Sequence, residues 1–226
     1  MQTRISRRQD DTQAEANIRW LREHALIHVD LIAGLPGEDL ASFFAGFDRL
    51  RALGPHEIQV GILKRLRGAP IDRHTAEHHM RYNPDPPYNV LATDSLSFID
   101  MERVSRFARY WELAGNSGRF NHAMPLLLGG APATRFMQFA DWLYARTRKT
   151  HEFAFERLCE HIHAFLIEGV SVDSEIATKA VLADYAASGA RGKLAFMDAG
   201  VRPREARSQT SRSRMRQARH VTTLTN

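Results

Sequence analysis

The sequence predicts an α/β segment followed by an all-α region and a basic tail. Up to about residue 68, apolar runs of strand length alternate with amphipathic helical patterns, and beyond that point apolar residues recur at helical spacing. The last segment, "SRSRMRQARH", has neither periodicity nor aromatic residues, which predicts disorder. The predicted domains are therefore residues 1–68, 69–189 and 190–226.

The first segment contains one strand–helix–strand unit. A helix in "NIRWLREHA" precedes the strand "LIHVDLIAGL", the helix "LASFFAGFDRLRAL" and the strand "EIQVGILK". In the second helix one face is apolar, and Glu38 and Asp39 are expected in its first turn, where carboxylates suit the helix dipole. Gly54 and Pro55 end this helix. The apolar face consists of Phe43, Phe44, Phe47, Leu50 and Leu53.

Both strands read as apolar on both faces, which favours a parallel sheet covered by helices. Two parallel strands leave unpaired edges and cannot form a stable sheet alone. Either the helical region shields this unit, or the unit is the last part of a larger (β/α) barrel, a partial barrel remnant.

The second segment is predicted to be helical after the connector "NPDPPYNVL". Helices are expected near 99–114 and 133–146, over 150–168, and in a last segment that ends before Gly189. Thr150 is the expected N-cap of the third helix and Gly169 follows its end. Its apolar stripe predicts that Cys159 is a buried, inert thiol. The stripe consists of Phe155, Leu158, Cys159, Ile162, Phe165 and Leu166.

Composition and charge narrow the class of protein. The 226 residues are 43% hydrophobic, without a signal peptide or an apolar run of membrane-spanning length, so we expect a soluble, cytoplasmic protein that does not bind a membrane. Residues 190–226 hold nine basic and two acidic side chains. This tail is a weak candidate for nucleic-acid binding, because arginine beside phosphate releases counterions.

One aspartate stands at the centre of the apolar stretch "HVDLIAGLPGED". A carboxylate buried in a strand is costly unless it is paired, so Asp30 is expected to meet a ligand, an arginine or backbone amides. Gly34, Pro36 and Gly37 are expected to form a tight turn into the following helix.

The segment "DLIAGLPGED" resembles the strand-and-turn motif late in the barrel of radical S-adenosylmethionine enzymes. The following "IQVGILKRLRGAPI", "PPYNVL" and "NSGRF" resemble the C-terminal region of cobalamin-binding radical S-adenosylmethionine proteins that end in a helical domain of unknown function. The resemblance covers roughly residues 12–190. The chain has one cysteine and so lacks the "CxxxCxxC" loop that holds the four-iron four-sulfur cluster of that family.

This resemblance implies a fragment or split subunit of such an enzyme, inactive alone and with no catalytic residue of its own. It implies that Asp30 hydrogen-bonds S-adenosylmethionine and that Leu63 or Lys64 lies near its adenine. The cluster and cobalamin are implied for the complete enzyme, with an upstream radical S-adenosylmethionine and cobalamin-binding polypeptide as partner. We expect no cofactor to be held by this chain alone.

Two alternatives remain. The first is a noncatalytic helical module that binds a protein or, through its tail, nucleic acid. The second is a zinc hydrolase, because "HTAEH", His74 to His78, fits the H-x-x-E-H pattern of inverted zincins. Three fixed positions are easily matched by chance in a chain with 11 histidines. We therefore expect a solvated helical face there and no metal site.

Overall fold

The computed structural model describes residues 10–197 and contains an α/β part followed by helices, as the sequence predicts. The first strands and helices alternate, and a short antiparallel hairpin separates them from the later helices. The elements are α1 (Asp11–Leu21), β1 (His28–Ala33), α2 (Leu40–Leu53), β2 (Glu57–Ile62), a 3-10 helix (Pro70–His74), β3 (Arg81–Tyr82), β4 (Val90–Ala92), α3 (Phe98–Leu113), α4 (Ala123–Leu128), α5 (Pro132–Thr147), α6 (Phe155–Glu168) and α7 (Ser174–Ala187).

Strands β1 and β2 pair in parallel as a two-stranded sheet in which His28 aligns with Glu57 and Ala33 with Ile62. Burial alternates along β1, so Val29 and Leu31 lie on the more buried face, whereas His28 and Asp30 are exposed. The expectation that both strands are apolar on both faces is therefore wrong. One face packs beside α2, and the opposite face is largely polar and exposed.

Helix α2 has the bounds that its sequence pattern predicts. Asp39 is its N-cap and shares a capping box with Ser42, and Gly54 ends it in the left-handed conformation at φ 66°. Glu38 is not in the first turn. It precedes the cap and is buried.

Spatial contacts divide the chain into two compact units, the first formed by residues up to 112 together with 130–150. Its core is aromatic, because rings from α2, α3 and α5 meet edge to face at centroid distances of 4.8 to 5.5 Å. Spatial units and sequence domains are different divisions, so the predicted domain boundaries stay a prediction. The rings belong to Phe43, Phe47, Phe107, Trp111 and Phe136.

Among the described residues, the second unit comprises 113–129 and 151–197, in which α4, α6 and α7 pack on one another. Helix α6 begins at Phe155, not at Thr150, because Glu152 has a left-handed backbone with φ 61°. The predicted stripe is buried, including Cys159, except for Phe155, which is half-buried. Asp184 of α7 is also buried and accepts hydrogen bonds from the backbone amides of His122 and Ala123 at the start of α4.

Three short elements are absent from the sequence prediction: the β3–β4 hairpin, helix α4 and the 3-10 helix. The two strands of the hairpin and both short helices have six residues or fewer each, too few to display a period. Structure also continues past the predicted start of the tail, because Leu194 is buried and Phe196 stacks on His163. The rest of the predicted tail, from residue 198, lies outside the described residues. Within residues 10–197, no helix is long and apolar enough to cross a membrane.

Candidate functional site

The exposed face of the β1–β2 sheet carries the first predicted site residue. Asp30 lies on this face beside Gln59, and His28 forms an ion pair with Glu57 on the same side. The expectation that Asp30 is buried is wrong in this chain, because its side chain is exposed to water. On this face the Asp30 carboxylate can accept hydrogen bonds from a molecule placed against the sheet, and the Gln59 side-chain amide can both donate and accept them.

Leu63 and Lys64 directly follow β2, and their environment differs from that of Asp30. The backbone amide of Leu63 donates to Ala33 O at 2.9 Å, which extends the strand pairing, and its side chain packs against an apolar cluster that includes Val90. Lys64 is exposed, and its backbone forms an antiparallel bridge with Asn89. The backbone of this segment is therefore fixed on both sides.

The structure separates Asp30 from Leu63 along the strands. Asp30 aligns with Gln59, four residues before Leu63, and a strand rises about 3.3 Å per residue, so the separation is about 13 Å. One ligand that contacts both residues must lie extended along the sheet. No contact in the described structure brings their side chains together.

The glycine-proline turn after β1 is closed by Glu38, a residue that sequence reasoning placed in the helix instead. The Glu38 carboxylate accepts hydrogen bonds from Gly34 N at 2.7 Å and Leu35 N at 3.2 Å. Burial raises the pKa of this carboxyl, against the lowering effect of the two amides. Gly34 has φ 90° and no room for a side chain, since a Cβ atom would lie 2.4 Å from Val90. These amides are occupied, so the turn has a structural role.

The "HTAEH" segment differs from the expected solvated helical face. It starts in the 3-10 helix that ends at His74 and continues as turns, and His78 is only 6% exposed. The expectation of a solvated face is therefore wrong for His78. The ligand atoms of His74, Glu77 and His78 all lie within 4.8 Å of one another.

Sequence reasoning missed Asp94 as a partner of this segment. His78 Nδ1 lies 3.1 Å from Asp94 Oδ2, and Asp94 N donates to His78 O at 2.9 Å. Sixteen residues separate the two, and no motif links them. Only the fold brings this carboxylate to the histidine.

Cys159 is the one residue of this chain that could provide a thiolate to the iron–sulfur cluster that the resemblance implies for the parent enzyme. The thiol is fully buried in the α6 stripe, and burial raises its pKa to about 12. A cluster needs thiolate ligands in a set of three or four, and the sequence holds one cysteine. The residues present do not fit this cluster.

The model of one protein family, described as "Protein of unknown function (DUF4080)", matches residues 76–223, which are 148 of the 226 residues. This domain occurs in cobalamin-binding radical S-adenosylmethionine proteins. Comparison with curated proteins finds no match. The matched region begins inside the "HTAEH" segment and includes the hairpin and helices α3 to α7; β1 and β2 precede it.

Proposed function

Because the chain belongs to the family of proteins of unknown function DUF4080, we propose that it is a fragment or split subunit of a cobalamin-dependent radical S-adenosylmethionine enzyme. It supplies the last strands of the barrel and the C-terminal helical domain. The occurrence of this domain in cobalamin-binding radical S-adenosylmethionine proteins supports the assignment.

The β1–α2–β2 unit is the observation that carries this proposal. A (β/α) barrel strand has helices on one face and the barrel interior on the other. The sheet has α2 beside one face, and its opposite face exposes Asp30 and Gln59. Docked against further strands, this polar face would line an interior that binds a ligand.

In the complete barrel Asp30 accepts a hydrogen bond from S-adenosylmethionine, and the segment at Leu63 and Lys64 borders its adenine. The distance between Asp30 and Leu63 suits S-adenosylmethionine, because a sugar separates the two polar ends of that molecule. The cluster belongs to a partner polypeptide, because this chain has no set of thiolates, and the cobalamin domain is assigned to the same partner. The bound cluster supplies the electron for cleavage of S-adenosylmethionine.

Complementation with that partner tests the proposal. The full chain is mixed anaerobically with a polypeptide from the same genome that carries a cobalamin domain and a "CxxxCxxC" motif, and the cluster is reconstituted. We expect a stable complex that cleaves S-adenosylmethionine, with neither polypeptide active alone.

Two variants, one at Asp30 and one at another exposed aspartate, test whether Asp30 itself contributes to cleavage. Asp30→Ala should leave the complex intact and lower cleavage, whereas Asp85→Ala, in the exposed connector, should change neither. A genome without such a polypeptide, or a complex whose cleavage is insensitive to Asp30→Ala, contradicts the proposal.

A noncatalytic interaction module is the second candidate, favoured by exposed apolar side chains near the end of α1. Trp20 is 62% exposed and Leu26 is 55% exposed, which is typical of a surface that a partner covers. This candidate predicts that Trp20→Ala abolishes binding to a partner protein, with no cleavage of S-adenosylmethionine in any mixture.

A further inference from the structure

The turn segment from His74 to Met80 places two imidazole rings side by side. His78 N donates to His74 O at 3.1 Å, which closes one helical turn between the two residues. Their ring centroids are 6.2 Å apart. His79 then has a left-handed backbone with φ 45°, so the helical turn does not continue past His78.

His78 has the environment of a metal ligand. Its Nδ1–H donates a hydrogen bond to the Asp94 carboxylate, and in this tautomer Nε2 carries the lone pair. That Nε2 is buried and has no hydrogen-bond partner among the described residues. A buried polar atom without a partner is costly, so Nε2 is suited to bind a ligand from outside the described part of the chain.

Glu77 provides a carboxylate between the two rings. Its Oε1 lies 3.8 Å from His78 Nε2, and its Oε2 lies 3.8 Å from His74 Nδ1. The Glu77 side chain is 71% exposed, so it can move without disturbing the core. Two imidazoles and one carboxylate are a donor set that zinc, cobalt and nickel accept.

We propose that His74, Glu77 and His78 bind one divalent transition-metal ion of the zinc class, and that Asp94 orients His78. Bond lengths of about 2.0–2.2 Å to such an ion require the ligand atoms to draw closer, through movement of the exposed Glu77 carboxylate and rotation of the partly buried His74 ring. Binding through His74 Nδ1 requires the ring proton to move to Nε2, which then no longer accepts the hydrogen bond from the exposed Arg73.

This site is a binding site and not the hydrolase site of the inverted zincins. In that pattern the glutamate activates water and is not a ligand. Here Glu77 lies between the two rings, and as a ligand it cannot serve as the general base. The inference is independent of the proposed enzyme subunit, because its residues are not those proposed to contact S-adenosylmethionine.

Metal titration of the full, chelator-treated chain tests the inference. Zinc is titrated in competition with a chromophoric chelator, and cobalt reports the ligand set through its visible absorption. We expect one equivalent of metal. Affinity should fall by more than about 100-fold in His78→Ala, which removes a ligand, and by about 10- to 100-fold in Asp94→Asn, which removes only the orienting carboxylate.

Two further variants guard against a folding artefact. Glu77→Gln changes an exposed side chain and should also weaken binding with an unchanged circular dichroism spectrum, whereas His151→Ala, an exposed histidine elsewhere, should bind like the unmodified chain. At one fixed zinc concentration, zinc should raise the melting temperature of the unmodified chain and of His151→Ala more than that of Glu77→Gln, Asp94→Asn or His78→Ala. Equimolar binding that Glu77→Gln and His78→Ala leave unchanged, or no equimolar binding at all, overturns the proposal.

Discussion

Asp30 lies on the exposed face of β1, where its ionised carboxylate keeps its contact with water. The apolar strand tolerates this aspartate because Asp30 lies on the outer, water-exposed face of the sheet. Only further strands docked against this face would remove the carboxylate from water.

Because Asp30 is exposed, Asp30→Asn should leave the free energy of unfolding of the chain almost unchanged. We expect the free energy of unfolding to change by no more than about 0.5 kcal/mol, because an exposed side chain loses no buried partner. Urea unfolding of the two proteins measures it. A loss on the order of 3 kcal/mol would mean that Asp30 anchors a buried ion pair.

Glu38 makes the stability of the chain depend on pH. Burial raises the pKa of its carboxyl above the ordinary value of 4.5, so the folded state binds more protons than the unfolded state as the pH rises past 4.5. The contribution of Glu38 to stability is complete below pH 4.5 and is lost as the pH rises through the raised pKa.

Glu38→Gln removes this titration and keeps an oxygen acceptor for the amides of Gly34 and Leu35. The difference in free energy of unfolding between variant and unmodified chain should shift in favour of the variant between pH 4 and 7, by the linkage relation. Urea unfolding across this range measures the shift. A constant difference would show that the carboxyl titrates alike in both states.

At the scale of elements, α2 caps α5. The first turn of α5 has no side-chain cap of its own, since Ala131 is its N-cap residue. Asp48 of α2 instead accepts a hydrogen bond from Ala133 N at 2.7 Å, and Ala133 is fully buried. One carboxylate thus joins two helices that are distant in sequence.

Removing this cap should destabilise the first unit. Asp48→Ala leaves the buried Ala133 amide without its acceptor, at a cost of about 1 kcal/mol, whereas Asp48→Asn retains an oxygen and should cost less. The midpoints of urea unfolding compare the two variants. Equal losses in both would assign the effect to charge instead of to the hydrogen bond.

For the whole molecule, the two-stranded sheet and the helical stripe of α6 should differ in local stability. Strands β1 and β2 form a sheet of two strands only, with one face exposed, whereas Leu158, Ile162 and Phe165 are buried. We expect amide hydrogen exchange to be fast over 27–33 and 57–63 and slow over 153–166. Equally strong protection in both regions of an isolated monomer would contradict the split-subunit proposal.

Local patterns determined several elements of this chain. The bounds of α2 follow from an N-cap, an apolar face and a terminal glycine that all lie within a few residues of the helix. The buried stripe of α6 follows from its period, and the absence of a thiolate set follows from composition.

Tertiary structure alone decided the pairing of distant side chains. Asp48 caps a helix 85 residues away, and Asp94 reaches His78 across 16 residues. It also decided that Asp30 is exposed, because burial depends on which elements cover a strand face and not on the strand's own residues. A helical period and a helix cap both involve residues within about four positions of one another, so they can be recognised directly in the sequence. Contacts between distant residues exist only after the chain has folded.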